Sequence, residues 1–164
     1  MPELEVALNT GMRRGEQYGL QWEHVNLERR VLTIPRSKHG EVRHIPLNAV
    51  AVEALKGLLP NMTKNNFVFI SSRGRGALKG SRHWFEKAVK EAGIRNFTWH
   101  CLRHSFASRM VLAGVDLRTI QELMGHKTIS MTVRYAHLAP AHQLAAVERL
   151  AVFSQEKIRS GQDV

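Results

Sequence analysis

Apolar residues fall at helical spacing through the stretch from Thr98 to Tyr135. Leu102, Phe106, Met110 and Ala113 recur at steps of four and three, which predicts a helix capped by Thr98 and ending near Gly114. Leu117, Ile120, Leu123 and Met124 predict a second helix, starting at Asp116 and stopping at Gly125, where the backbone is free to turn. A short helix from about Ser130 is expected to carry Tyr135 near its end. Towards the N-terminus, residues 3–20 read as helix, turn, helix, with Asn9-Thr10-Gly11 as the break and Leu20 and Trp22 in the core. Val31–Ile34 and the alternating Val42–Leu47 predict a hairpin with its turn at His39-Gly40. Asn48 caps a helix reaching Pro60, with Val52, Leu55, Leu58 and Leu59 as its buried stripe. Phe67–Ile70 reads as a short strand pairing with the hairpin, and Ser81 opens a helix with Trp84, Phe85, Ala88 and Val89 inward. After Pro140, residues 141–153 form an apolar-seamed helix through Leu144, Val147, Leu150 and Ala151, and 154–164 a polar tail. The fold class is α+β, mostly α-helical, with a small antiparallel sheet of about three strands on one edge.

Composition narrows what such a fold serves. The chain has 164 residues, 43% of them hydrophobic, enough for one domain with its own core (residues 1–153). Lys and Arg number 24 against 14 acidic residues, a formal charge of +10 that points to a polyanionic partner. The most basic stretch, 71–95, includes a Gly-rich loop in which Arg73, Arg75 and Lys79, followed by Arg82, are expected to track the phosphates of such a partner. A single cysteine, Cys101, excludes an internal disulfide and fits a reducing cytoplasm. No apolar run approaches the ~20 residues of a membrane span, and Met1-Pro2-Glu3-Leu4-Glu5 lacks the order of a signal peptide.

The chemistry concentrates after Thr98. His100, Arg103 and His104 stand at i, i+3 and i+4, so their side chains are neighbours on one helix face. His126 sits in the turn after Gly125, and Tyr135 follows nine residues later. A guanidinium binds phosphate oxygens in two places and stays charged. Histidine donates a hydrogen bond or moves a proton near neutral pH, and a tyrosine phenol becomes a nucleophile once its proton leaves. Together they suit phosphoryl transfer without a metal.

The runs H-C-L-R-H-S-F-A and L-M-G-H-K-T-I-S-M-T-V-R-Y resemble the C-terminal catalytic region of the tyrosine recombinases, the phage-integrase family. Its pattern is H-x-L-R-H, then L-G-H with a tyrosine nine residues on. The family's first box is similar to T-G-M-R-R-G-E-Q-Y-G-L, which carries phosphate binding onto Arg13 and an acidic supporting role onto Glu16. Counting back five from Arg43 in R-H-I-P-L places the family's hairpin lysine at Lys38. The resemblance covers residues 5 to 140. It implies a DNA breaking-rejoining fold and a site-specific recombinase or integrase of a mobile element, working without metal, ATP or other cofactor. Tyr135 would attack a duplex phosphate to give a 3′-phosphotyrosyl link. Arg13, Arg103 and His126 would stabilise the phosphoryl oxygens, His100 would assist the tyrosine's proton, with His104 as support, and Lys38 would protonate the leaving 5′-oxygen. It further implies a homo-oligomer, a tetramer on DNA, with the 141–153 helix as an interaction surface, and a place in the cytoplasm at the nucleoid. Family members usually carry an N-terminal helical clamp domain, and the chain is expected to begin inside the catalytic domain.

Other readings stand beside this one. A type IB topoisomerase uses a similar constellation, and a DNA-binding remnant would keep the residues without assembling them. Zinc on His100 and His104 wants Glu rather than Cys at position 101. A two-metal nuclease needs several clustered carboxylates, and Asp116 and Asp163 are the only aspartates.

Overall fold

The structure is a computed structural model describing residues 1–35, 42–59, 66–70, 82–139, 147–148 and 150–152, the side chains of 82 and 83 excepted. The described residues include seven α-helices and three short strands, together with short 3₁₀ turns.

Helix α1 (Pro2–Thr10) takes Pro2 in its first turn, where no amide partner is needed, and ends at Gly11 in the left-handed region. The helix therefore runs through Asn9 and Thr10, and only Gly11 breaks it. Thr10 is fully buried and returns its hydroxyl to the Val6 carbonyl at 2.6 Å, which lets a polar side chain continue the helix. Helix α2 (Arg14–Tyr18) follows at once and hands Leu20 and Trp22 to the core.

Strands β2 (Val31–Ile34) and β3 (Arg43–Pro46) form the expected antiparallel hairpin, with Leu32 opposite Ile45 and both buried. The third strand differs from expectation. It is β1 (Val25–Asn26), two residues long, and the sheet order is β1-β2-β3. Phe67 instead makes an isolated antiparallel bridge with Gln21, supported by Trp22 N–H to the Asn66 carbonyl and Val68 N–H to the Leu20 carbonyl, both 2.9 Å. The β-rich segment 67–70 thus pairs with the chain just after α2, where Val68 and Phe69 can bury.

Asn48 caps α3 (Ala49–Lys56) by accepting the Ala51 N–H at 2.9 Å. The helix stops at Gly57, before the expected Pro60. The stripe is then Ala51, Val52, Ala54 and Leu55, while Leu58 is half-buried and Leu59 is exposed. Helix α4 (Arg82–Glu91) turns Phe85 inward with Trp84, Ala88 and Val89 half-buried. Trp99, at the start of α5 (Trp99–Leu112), is tilted against Tyr18 and meets Phe85 and Trp84 edge-on. On α5, Leu102 and Phe106 are buried as the spacing predicts, but Ala107 and Val111 continue the buried face. Met110 is half-buried and Ala113 exposed, because the helix ends at Leu112.

Helix α6 (Leu117–Met124) is capped by Asp116, which accepts the Thr119 N–H at 2.8 Å and its hydroxyl at 2.6 Å. Gly125 closes it at φ 62°. Helix α7 (Ser130–Val133) is a single turn, so Tyr135 lies two residues beyond it, leading into a 3₁₀ turn (Ala136–Leu138).

The core has two parts. One unites α1, α2, the sheet, α3, α4 and the first turn of α5. The other packs Phe106, Ala107 and Val111 with Ile120, Met124 and Tyr135. No described helix is long and apolar enough to cross a membrane. Residues 147–148 and 150–152 are helical, and Val147, Leu150 and Ala151 of the expected seam are exposed. Leu144 and the tail 154–164 lie outside the described residues.

Candidate active site

The last carbonyls of a helix lack intrahelical partners and carry the negative end of its dipole. At the end of α6, three successive carbonyls are each taken by a different arginine. Arg43 Nε donates to Leu123 O at 3.3 Å, Arg103 Nη2 to Met124 O at 2.5 Å, and Arg13 Nη2 to Gly125 O at 3.1 Å. The arginines come from β3, α5 and the residue before α2, so one helix end gathers three distant parts of the chain.

Arg103 is the most enclosed of them, 3% exposed, and its Nη1 donates at 2.5 Å to the carbonyl of Gly11. Burial, then the charge of Arg13, lowers its pKa to about 10, so it stays cationic at neutral pH. Glu16 joins the other two arginines. Its carboxylate accepts from Arg13 N at 2.7 Å and Arg13 Nη1 at 2.9 Å, and from Arg43 Nη1 at 3.0 Å and Nη2 at 2.7 Å. Burial works to raise its pKa, but the bonds from Arg43 and Arg13 outweigh that and hold it at about 2. The acidic position of the first box is thus a bridge between the two guanidiniums.

Arg43 entered the sequence reading only as a counting mark. Its side chain is 13% exposed, forks onto Glu16 and lies against Gly125, where an added Cβ would come within 3.0 Å of it. The available signal was its place in the alternation of β3, on the half-buried face.

The Glu16 pKa is depressed from 4.5 to about 2, so its contribution to stability is complete above about pH 4.5 and is lost as pH falls towards 2. That contribution is roughly 3 kcal/mol. Arg43→Gln is expected to return the carboxyl towards its ordinary value and to flatten the acid limb of stability between those limits. Urea denaturation across that pH range checks this, and an unchanged limb would show that the Glu16–Arg43 pair contributes nothing.

His126 follows Gly125 directly. Its carbonyl accepts from Gln121 Nε2 at 3.1 Å, and its Nδ1 lies 2.9 Å from the hydroxyl of fully buried Thr132. Burial first, then Arg103 and Arg13, lowers its pKa to about 4, so the ring is neutral at neutral pH. His100 and Arg103 line an open groove of about 260 Å³ with Met12, Arg14, Thr98 and Trp99. Burial and the neighbouring Arg103, Arg13 and Arg134 also hold His100 below its usual value.

Tyr135 is 6% exposed, and its Oη lies 2.5 Å from Nδ1 of His104. His100 stacks edge-on against His104, ring centroids 4.6 Å apart. The histidine on the phenol is therefore His104, one helical turn beyond His100. Burial raises the pKa of Tyr135, while Arg134 and Arg103 pull it back.

The structure thus brings together Arg13, Glu16, His100, Arg103, His104, His126 and Tyr135. Lys38 lies outside the described residues, as do Arg73, Arg75 and Lys79, and Arg82 is described only as the first backbone residue of α4. Among the described residues, no cluster of His, Cys, Asp and Glu is arranged to hold a metal ion.

Comparison with known proteins gives this arrangement its setting. The model of the phage integrase family matches residues 3–142, and the chain belongs to that family. It is 37% identical over 145 residues to the tyrosine recombinase XerA of Pyrococcus furiosus, covering 85% of this chain and 50% of XerA. The fold, mostly helical with a three-stranded antiparallel sheet, is that of the tyrosine recombinase catalytic domains. The catalytic domain of bacteriophage HP1 integrase superposes with a TM-score of 0.70 at 30% identity, over 90% of this chain and 79% of that one. The Tn1549 transposon integrase, solved in complex with circular intermediate DNA, gives 0.77 at 26% identity, over 91% and 59%. The chain spans about half the length of the curated relatives it matches.

Proposed function

We propose that this chain is the catalytic domain of a site-specific DNA recombinase or integrase, with residues 1–153 as the domain, cutting and rejoining duplex DNA through Tyr135. The observation that carries this reading is the convergence of Arg13 and Arg103 on the end of α6, beside His126, with the Tyr135 phenol held on the same helix α5 that carries Arg103.

Two guanidiniums fixed by backbone carbonyls are set before any substrate arrives. Each keeps further N–H donors for the non-bridging oxygens of a phosphodiester. Preorganised donors aimed at developing charge supply the largest share of such catalysis. When Thr132 donates its hydroxyl to Nδ1 of His126, the neutral ring presents Nε2–H as a further donor. His100, in the groove beside Arg103, adds a polar group to the same pocket. Attack by Tyr135 forms the 3′-phosphotyrosyl bond and expels the 5′-oxygen, which takes its proton from Lys38. The reverse reaction with a 5′-hydroxyl of a second strand exchanges partners, and the bond energy held in the phosphotyrosine removes the need for ATP. Arg73, Arg75, Lys79 and Arg82 extend the contact along the DNA backbone. Protomers assemble on DNA as a tetramer, aided by the segment 141–153, in the cytoplasm where the nucleoid lies.

A nicked duplex that loses its 5′-fragment on cleavage traps the covalent intermediate. The wild-type protein is expected to give a denaturant-resistant adduct, and Tyr135→Phe none. No adduct from either protein would overturn the reading in favour of a DNA-binding domain. Relaxation of supercoils without joining of two duplexes would reassign it to topoisomerase chemistry.

A further inference from the structure

We propose that His104 is the group that takes the proton from Tyr135 as it attacks, and so is a catalytic residue in its own right. This deepens the reading above and rests on it.

The contact is direct, with Tyr135 Oη 2.5 Å from His104 Nδ1. At 6% exposure the phenol has little access to bulk water, so its proton needs an acceptor in the protein. His104 is the hydrogen-bond partner found for Oη among the described residues. His100, one turn earlier on α5, meets His104 ring to ring and stands behind it.

The charge around the pair suits an acceptor. The groups acting on His104 are His100 and Arg103 on α5 and Arg134 after α7, with Tyr135 on its Nδ1. Burial, then His100 and Arg134, holds His104 below its ordinary value, so at neutral pH it is an uncharged base. A phosphodiester seated on Arg13 and Arg103 brings negative charge into this field and raises the proton affinity of the ring. The base thus strengthens when substrate arrives.

The step balances as follows. The neutral ring carries its proton on Nε2 and offers the Nδ1 lone pair. As the Oη–P bond forms, the Tyr135 proton passes to Nδ1 and the P–O5′ bond breaks, the leaving oxygen taking a proton from Lys38. In rejoining, the imidazolium of His104 returns its proton to Oη as the tyrosine leaves.

Two measurements test this. Imidazole ¹⁵N spectra of the whole protein at neutral pH are expected to show His104 with unprotonated Nδ1 and protonated Nε2, its Nδ1 signal shifting in Tyr135→Phe. A proton on Nδ1, or a signal indifferent to Tyr135→Phe, overturns the proposal whether or not the protein cleaves DNA. The second measurement is single-turnover cleavage of the nicked duplex by His104→Gln. Glutamine can still bond the phenol but cannot take its proton, so a purely positioning role would survive the change. The expected loss is about 10²-fold or more, the scale of general-base catalysis, with disappearance of the acid limb of the rate profile. A 5′-bridging phosphorothiolate, whose leaving sulfur needs no proton, is expected to restore Lys38→Ala and not His104→Gln. Rescue of His104→Gln, or a wild-type rate and pH profile in it, sinks the assignment of His104 while leaving the wild-type adduct, and hence the proposed function, in place.

Discussion

Arg103→Lys is expected to lose both stability and cleavage. The guanidinium joins Gly11 O to Met124 O through its two separate Nη atoms, while buried to 3% exposure. A lysine ammonium is a single point of donors on a flexible stem and cannot serve both. A hydrogen bond to a charged group contributes about 1.5–3 kcal/mol, and a buried acceptor left without a partner costs about 1–3 kcal/mol. Losing one of the two bonds is thus expected to destabilise the fold by roughly 2–4 kcal/mol. Cleavage is expected to fall at least about 10²-fold, the cost of removing one preorganised donor from developing charge. Urea denaturation reads the first effect, and single-turnover adduct formation on folded protein reads the second. A variant as stable as wild type would show that water replaces the missing bond and that Arg103 is not a strut of the fold.

The second large effect is expected at Gly11, and it too reaches the site through Arg103. Gly11 has φ 62°, where an L-residue with a Cβ is strained by about 1–2 kcal/mol. A Cβ built there would stand 2.4 Å from Cδ1 of Phe106, closer than packed atoms approach. Phe106 belongs to the second part of the core and is itself buried, so its ring cannot swing into solvent. Overpacking of this kind costs about 1–3 kcal/mol more. Gly11→Ala is therefore expected to destabilise by roughly 2–5 kcal/mol. It should also lower cleavage by shifting the carbonyl that orients Arg103. Thermal unfolding of Gly11→Ala beside Gly15→Ala, where a Cβ meets nothing within 4 Å, isolates the effect. Equal losses at the two positions would refute this account of Gly11.

These two residues show what the sequence made legible. The T-G-M-R box marks Gly11 and Arg13, and H-C-L-R-H marks Arg103, because both motifs are local spacings. Caps are local too, and Asn48 and Asp116 start their helices as read. What escaped was pairing across distance. Phe67–Ile70 has β-rich composition, but composition does not name a partner, and the segment went to Gln21 rather than to the hairpin. Strand β1 is two residues long, too short for any alternation to show. Arg43 is one basic residue among 24, and only the fold reveals that it forks onto Glu16 and reaches Leu123. His104 was legible as a neighbour of His100 and Arg103, yet its meeting with Tyr135 spans 31 positions. Tyr135 was placed at a helix end and lies beyond one because α7 closes after a single turn.

The arginine-capped end of α6 bears on how the chain folds. Its three carbonyls are claimed by residues 80, 21 and 112 positions away in the chain. The contacts of Arg43 and Arg13 form only after long loops have closed, and loop closure makes them late. Helices α5 and α6 are neighbours in sequence and can pair early, carrying His100, Arg103, His104, His126 and Tyr135 with them. The N-terminal segment with Arg13, and the hairpin with Arg43, must then arrive to complete the cradle. A partly folded chain would hold Tyr135 against His104 but not the full set of guanidiniums at the end of α6. Completion of the arginine cluster at the end of α6 is thus tied to completion of the fold.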